Sequence, residues 1–166
     1  MKCYYCQSEL VEDSFGNLCP NEFCESIDGA TIELVFFDGE KHWCQNGQLH
    51  HENDPAIECS DGEKHWYLNG LRHREHGPAI ECADGSKFWY KNDQLHREDG
   101  PAVEFFSGEK QWYKNGRYHR ENGPAVEYPD GTKYWYQNGK RHRDNGPAVE
   151  YPDGTTEYWT DGKRIK

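Results

Sequence analysis

From about residue 30 onward, apolar and polar positions follow neither one helical stripe nor one long strand alternation. They follow a beat of 23 residues. Trp43, Trp66, Trp89, Trp112 and Trp135 keep that interval without deviation, as do His50, His73, His96, His119 and His142, and Pro55, Pro78, Pro101, Pro124 and Pro147. One unit reads H-R-E-x-G-P-A-V-E-x-x-D-G-x-K-x-W-Y-x-N-G-x-x. A period in this range marks an array of supersecondary units, each burying its apolar positions against its neighbours. The ends depart from the pattern, as capping units do: Leu34-Val35-Phe36-Phe37 lacks the Pro-Ala step, and Trp159 comes one residue late while Gly162 stays in phase.

Turn chemistry identifies the unit as a β-hairpin. In Tyr128-Pro129-Asp130-Gly131-Thr132, proline suits the first turn position, aspartate the second and glycine the αL site of a three-residue loop. Asn138-Gly139 is the favoured type I′ pair, whereas the aligned Asn92-Asp93 lacks the glycine and predicts the weakest of these turns. Given both loops, cross-strand partners follow. Glu127 should face Lys133, Val126 face Tyr134, and Ala125 face Trp135. Around Asn138-Gly139, Trp135 should face His142, Tyr136 face Arg141, and Tyr134 face Arg143. An Ala–Trp–His row then forms one face and Val/Ile, Tyr and Arg the other. The tryptophan row hardly varies, while the Tyr134 position holds His42, His65, Phe88 or Gln111 elsewhere. The Trp–Ala face is therefore expected to be packed, with Trp43, Trp66, Trp89, Trp112, Trp135 and the five aligned histidines as structural residues. The variable face is the candidate partner surface, with Tyr67, Tyr90, Tyr113, Tyr136, Arg74, Arg97, Arg120 and Arg143 as its candidate contacts.

Composition alone points elsewhere. Leu, Ile, Val and Phe are scarce and the net charge is −11, a combination typical of disorder. Yet 6 Trp and 11 Tyr are too many aromatics for a disordered chain. No apolar run is long enough to span a bilayer, and Met1-Lys2-Cys3-Tyr4-Tyr5-Cys6 lacks the apolar core of a signal peptide. A cytoplasmic protein, bacterial or in the host cell of a phage, is expected, with no membrane contact. The acids and bases are spread along the chain without a basic block, which argues against nucleic acid as a partner. An acidic surface fits a basic partner, or imitation of nucleic acid toward one.

The cysteines divide by position. Cys3, Cys6, Cys19 and Cys24 have the spacing C-x2-C-x12-C-x4-C. Two short-spaced pairs around a loop suit a structural Zn2+ held by four thiolates, and so small a segment needs such a staple. A disulfide pair or unliganded thiols are the alternatives. Cys44, Cys59 and Cys82 align with aromatic positions of later units and read as small buried apolar residues. Lone thiols beside a four-thiolate site favour a reducing compartment. Residues 1–28 are thus expected to form the zinc-binding segment, and 29–166 the all-β, elongated array of tandem 23-residue antiparallel hairpins, about five full units with degenerate caps.

The recurring His-Arg-Glu at residues 73–75, 96–98 and 119–121 invites a catalytic reading. Equivalent copies argue against it, because catalysis needs one asymmetric constellation. Each ring is expected to pack on Trp with a nitrogen bonded to nearby backbone. Each following Arg is expected to stack on an aromatic or pair with Glu, with ligand contact as the alternative. No nucleophile elbow, P-loop, H-E-x-x-H or dinucleotide glycine pattern occurs, so no enzyme is expected.

The run from Tyr128 to His142, with Asp130-Gly131, Trp135 and Asn138-Gly139-Lys140, resembles a MORN repeat. It is most similar to the MORN-variant repeats of bacterial antitoxin-like and phage-encoded proteins. The resemblance covers about residues 31–166. After the histidine the family continues His-Gly, whereas here His142-Arg143-Asp144-Asn145-Gly146-Pro147 makes a longer return. The resemblance implies an elongated antiparallel array serving as a protein-binding scaffold. The expected function is a non-enzymatic protein-interaction module of the antitoxin-like or phage counter-defence inhibitor type, binding a partner through its repeat sheet. An acidic nucleic-acid mimic that blocks a nucleic-acid enzyme, or a zinc-dependent nucleic-acid reader, are the other readings. The first 25 residues, with Lys2 against five acids, weigh against the reader. Exposed end strands could pair edge to edge and give an oligomer.

Overall fold

The computed structural model describes residues 30–166, and every regular element among them is a β-strand. The zinc-binding segment inferred for residues 1–28 lies outside the described residues. Most strands are two residues long, because each 23-residue unit spends its length on turns. Each unit contributes to two ranks of strands. The first rank is one continuous antiparallel meander running from Ile32–Val35 and Lys41–Gln45 through Ile57–Glu58, Lys64–His65 and their equivalents to Val149–Glu150 and Thr156–Glu157. The second rank consists of separate two-stranded hairpins around the Asn-Gly turns, such as Tyr113–Lys114 with Arg117–Tyr118 and Tyr136–Gln137 with Lys140–Arg141.

Three of the expected pairings are present: Glu127 with Lys133, Val126 with Tyr134, and Tyr136 with Arg141. The expected Trp135–His142 neighbours are joined by a hydrogen bond from the His142 N–H to the Trp135 carbonyl, 3.1 Å. Two pairings are corrected. Tyr134 pairs with Val149 of the next unit, not with Arg143. Ala125 does not meet Trp135 of its own unit: the Ala125 carbonyl accepts from Trp112 of the preceding unit at 2.7 Å, and Trp135 donates onward to Ala148 at 2.8 Å. The reason is a break in strand structure at Trp66, Trp89, Trp112 and Trp135, where the chain leaves the first rank for the second. The Ala–Trp contact expected within a unit is thereby made between units, at every interval from Trp43–Ala56 to Trp135–Ala148.

Successive strand residues point to opposite faces. One face of the long sheet therefore carries Lys41, Glu58, Lys64, Glu81, Lys87, Glu104, Lys110, Glu127, Lys133 and Glu150 in unbroken alternation of sign. Each opposed pair contributes roughly 0.2–1 kcal/mol. The other face carries His42, Ile57, His65, Ile80, Phe88, Val103, Gln111, Val126, Tyr134 and Val149 in the same registers. Ala56, Ala79, Ala102, Ala125 and Ala148 are completely buried, as expected, but so nearly are Val103, Val126 and Val149. The face expected to be only half-buried therefore has a buried valine spine.

The Asn turns hold their register with left-handed asparagines followed by glycine, for example Asn138 at φ 50° and Gly139 at φ 82°. Asn92-Asp93 keeps the same geometry with φ 50° and 61°. Here Asp93 Oδ1 accepts from the Arg72 Nε at 2.6 Å and from its backbone N–H at 3.2 Å, which offsets the αL cost of a non-glycine residue. At the far end Tyr158 takes the tryptophan position of its unit: its carbonyl accepts from Ile165 and its N–H donates to Lys166. No helix among the described residues is long and apolar enough to cross a membrane.

Candidate functional site

The eight candidate contact residues fall into two groups that serve different faces. Each arginine lies over the tryptophan of the preceding unit, with guanidinium carbons 3.7 Å from the Trp66 ring centre for Arg74, 4.1 Å from Trp89 for Arg97, 3.8 Å from Trp112 for Arg120 and 4.0 Å from Trp135 for Arg143. One Nη1 of each also donates to the carbonyl of Pro78, Pro101, Pro124 or Pro147 and to Glu81, Glu104, Glu127 or Glu150, all between 2.7 and 3.2 Å. Those glutamates belong to the charged face of the sheet. The arginines thus tie the loop after each histidine to the next strand, which is the stacking and pairing role expected of them.

The return loop owes its shape to a glycine. A Cβ at Gly123 would lie 3.0 Å from the Arg120 Cζ, and one at Gly100 would lie 2.8 Å from the Arg97 Cζ. Gly77, Gly123 and Gly146 also have φ of +127° to +141°. The glycine of R-E-x-G-P is therefore the floor on which the guanidinium rests, a role that the sequence pattern showed only as a fixed letter.

The tyrosines occupy the other face. Tyr67 stacks on His65 with ring centres 6.4 Å apart, and Tyr90 lies under the Arg72 guanidinium at 4.2 Å. Tyr113, Tyr118 and Tyr136 form a stack with centres 4.3 and 5.1 Å apart. The Tyr113 and Tyr118 hydroxyls both donate to Gln111 Oε1, at 3.0 and 3.2 Å, and Arg141 Nε donates to the Tyr136 hydroxyl at 3.1 Å. Burial first, then the hydrogen bond with Tyr118, raises the Tyr113 pKa above the ordinary phenol range. Beside this stack, Tyr134 packs edge-on between Tyr128 and Tyr151, at 5.8 and 6.4 Å. Tyr134 and Tyr151 also line an open depression with Asp130, Thr132, Pro152, Asp153 and Thr155.

The histidines are structural contacts between units. The Nδ1 atoms of His50, His96, His119 and His142 accept the backbone N–H of Asn69, Asn115, Asn138 and Asp161 at 3.1 to 3.2 Å, each 19 residues ahead. His73 Nδ1 lies 2.7 Å from Asn92 Oδ1. On the other side of the ring, Nε2 of His73 reaches Glu75 at 3.2 Å and that of His142 reaches Asp144 at 3.0 Å. Nothing in this arrangement singles out one histidine as a base.

Among the described residues, no group of three or more His, Cys, Asp or Glu is gathered to hold a metal. Cys3, Cys6, Cys19 and Cys24, the candidate ligands, lie outside the described residues. Of the later cysteines, Cys44 is wholly buried, as its position suggests. Cys59 and Cys82 are free and half-buried. Their thiols are pushed up to about 11, first by burial and then by surrounding carboxylates, chiefly Glu40 and Glu63 for Cys59 and Glu63 and Asp84 for Cys82. Raising a thiol pKa depletes the thiolate, which is the nucleophile. At pH 8 both should react with iodoacetamide about a hundredfold more slowly than an ordinary cysteine, with the rate rising about tenfold per pH unit toward pH 10. Peptide mapping of the alkylated protein measures this, and an ordinary rate at pH 8 contradicts it.

No protein-family model matches the chain, and no curated protein is significantly similar to it.

Proposed function

We propose that the chain is a non-enzymatic protein-interaction module that binds its partner through the repeat sheet. The observation that carries this reading is the regular tyrosine face, where Tyr67, Tyr90, Tyr113 and Tyr136 recur along an array whose pitch the inter-unit hydrogen bonds hold constant. Half-buried rings already held by neighbours present contact area at little further entropic cost on binding. A broad sheet suits the occlusion of a partner surface. The resemblance to antitoxin-like and phage-encoded repeats supports a role as a cytoplasmic inhibitor, and the end strand Thr156–Glu157, paired on one side only among the described residues, supports oligomerisation as a further property. The test is capture of the native partner by wild-type chain and by a variant carrying Tyr90→Ala, Tyr113→Ala and Tyr136→Ala. Capture should fall at least about tenfold, as loss of aromatic contact residues generally produces. Unchanged capture by the folded variant removes the tyrosine face from the binding surface.

A structural Zn2+ held by Cys3, Cys6, Cys19 and Cys24 belongs to the same proposal, supported by their spacing. Metal analysis of protein purified under reducing conditions should give one zinc per chain, lost on Cys6→Ser or Cys19→Ser. A metal-free chain with intact repeats instead supports the disulfide or free-thiol alternative.

A further inference from the structure

The net charge of −11 hides a segregation that stacking brings about. Where the following turn keeps its glycine, the residue after the preceding turn lays its aliphatic stem on it. The Gln94 stem lies 3.8 Å from a Cβ built on Gly116, that of Arg117 3.7 Å from one on Gly139, and that of Lys140 3.8 Å from one on Gly162. These positions form a row along the edge of the second rank. Its earlier members, Gln48, Leu71 and Gln94, are uncharged, whereas Arg117, Lys140 and Lys163 are cations. All three are exposed, as is Lys114 on the adjoining strand. None of these four makes an ion pair among the described residues, although the chain has 30 acids to offer. Spread along the sequence these cations look random; a 23-residue period brings them to one ridge.

We propose that this ridge is a docking surface for an extended acidic segment of a partner protein, with carboxylates at every third residue. Two features select that partner. The first is pitch. Each unit adds two strands to the long sheet, so the row repeats at roughly 10 Å, and a chain extended in the polyproline II conformation, with three residues per turn and about 3.1 Å per residue, returns a side chain to the same side at about that interval. The second is the state of the neighbouring aromatic rings. A single-stranded nucleic acid needs free ring faces for its bases to stack on. Beside the ridge, Tyr113, Tyr118 and Tyr136 cover one another, and the Arg141 guanidinium lies over both Tyr134 and Trp159 at 5.1 and 5.0 Å. The ridge offers charge at a fixed interval without stacking platforms. It is also a different surface from the tyrosine face, so either can fail alone.

The test uses the full chain at low ionic strength and fluorescence anisotropy of three labelled probes. One peptide carries glutamate at every third position with serine between, a second carries the same number of glutamates in one block, and the third probe is oligothymidylate. The spaced peptide should bind most tightly. The variant Arg117→Glu/Lys140→Glu/Lys163→Glu should weaken it by at least about tenfold, as should the uncharged Arg117→Ser/Lys140→Ser/Lys163→Ser variant to a smaller extent. Unchanged far-ultraviolet and tryptophan spectra establish folding of both. Failure of the spaced peptide to bind, equal binding of the block peptide, tighter binding of oligothymidylate, or retention of affinity in a folded variant each overturns the proposal. Failure of tyrosine-face variants to affect native-partner capture leaves it standing.

Discussion

Trp66→Ala should cost about 3–5 kcal/mol of stability, the range for removing a buried large aromatic from a core. The Trp66 ring is 6% exposed. Three elements meet on this residue: the Arg74 guanidinium lies 3.7 Å over its ring, its N–H donates to Ala79 at 2.8 Å, and its carbonyl accepts from His73 at 3.1 Å. Truncation leaves a void and strips the cation of its platform, while the Arg74 bonds to Pro78 and Glu81 lose their support. Because a repeat array is stabilised unit by unit and by nearest-neighbour contacts, the damage should also uncouple the units on either side and broaden the denaturant transition. The control is Phe106→Ala, whose ring is 78% exposed and should cost less than about 1 kcal/mol. Equal losses at the two positions contradict the account of how the array is held together.

Gly123→Ala should be the next most damaging small change, costing about 1–3 kcal/mol. Two effects combine. Its φ of +141° is a backbone region that L-residues rarely adopt, and the new methyl would meet the Arg120 Cζ at 3.0 Å. The two separate in a double-mutant cycle with Arg120→Ala. Removing the guanidinium relieves the contact but not the backbone strain, so the double variant should lose less than the sum of the singles, by roughly 0.5–1.5 kcal/mol. Chemical denaturation of the four proteins measures this. Strict additivity would show that the glycine is needed for its backbone alone.

The sequence made the hairpin unit legible because turn chemistry is local: Asp130-Gly131 and Asn138-Gly139 fix two loops, and the pairs Glu127–Lys133 and Tyr136–Arg141 follow by counting outward. It failed at Trp135 for a physical reason. Periodic patterning says which residues share a face, but not that a strand ends in its middle and passes its next hydrogen bond to a neighbouring unit. That one break redirects Ala125, Tyr134 and Arg143 to different partners. The buried Val149 was missed likewise, since a position opposite a variable one looks half-exposed until the neighbouring strand covers it. For the site, the histidine bonds to backbone and the stacking of the arginines were legible because residues repeated in every unit most simply serve the repeat. The basic ridge was not. Charge counted along a chain averages over 23 residues, and only the stacking of Arg117 on Gly139 and Lys140 on Gly162 turns an interval into a surface. The deficit of aliphatic residues has the same origin. Wholly buried alanines, a valine spine and arginine-capped tryptophans replace a central core, so a composition that resembles disorder belongs to an ordered array.

The central claim is that the units are joined by the tryptophan amides, each donating to the alanine carbonyl of the unit that follows. Native-state hydrogen exchange with residue resolution tests this most directly. The backbone amides of Trp66, Trp89, Trp112 and Trp135 should be among the most slowly exchanging in the chain, and Trp112→Ala should speed exchange at its own unit and the two beside it. Tryptophan amides that exchange as fast as those of the exposed loops at residues 121–122 would contradict it.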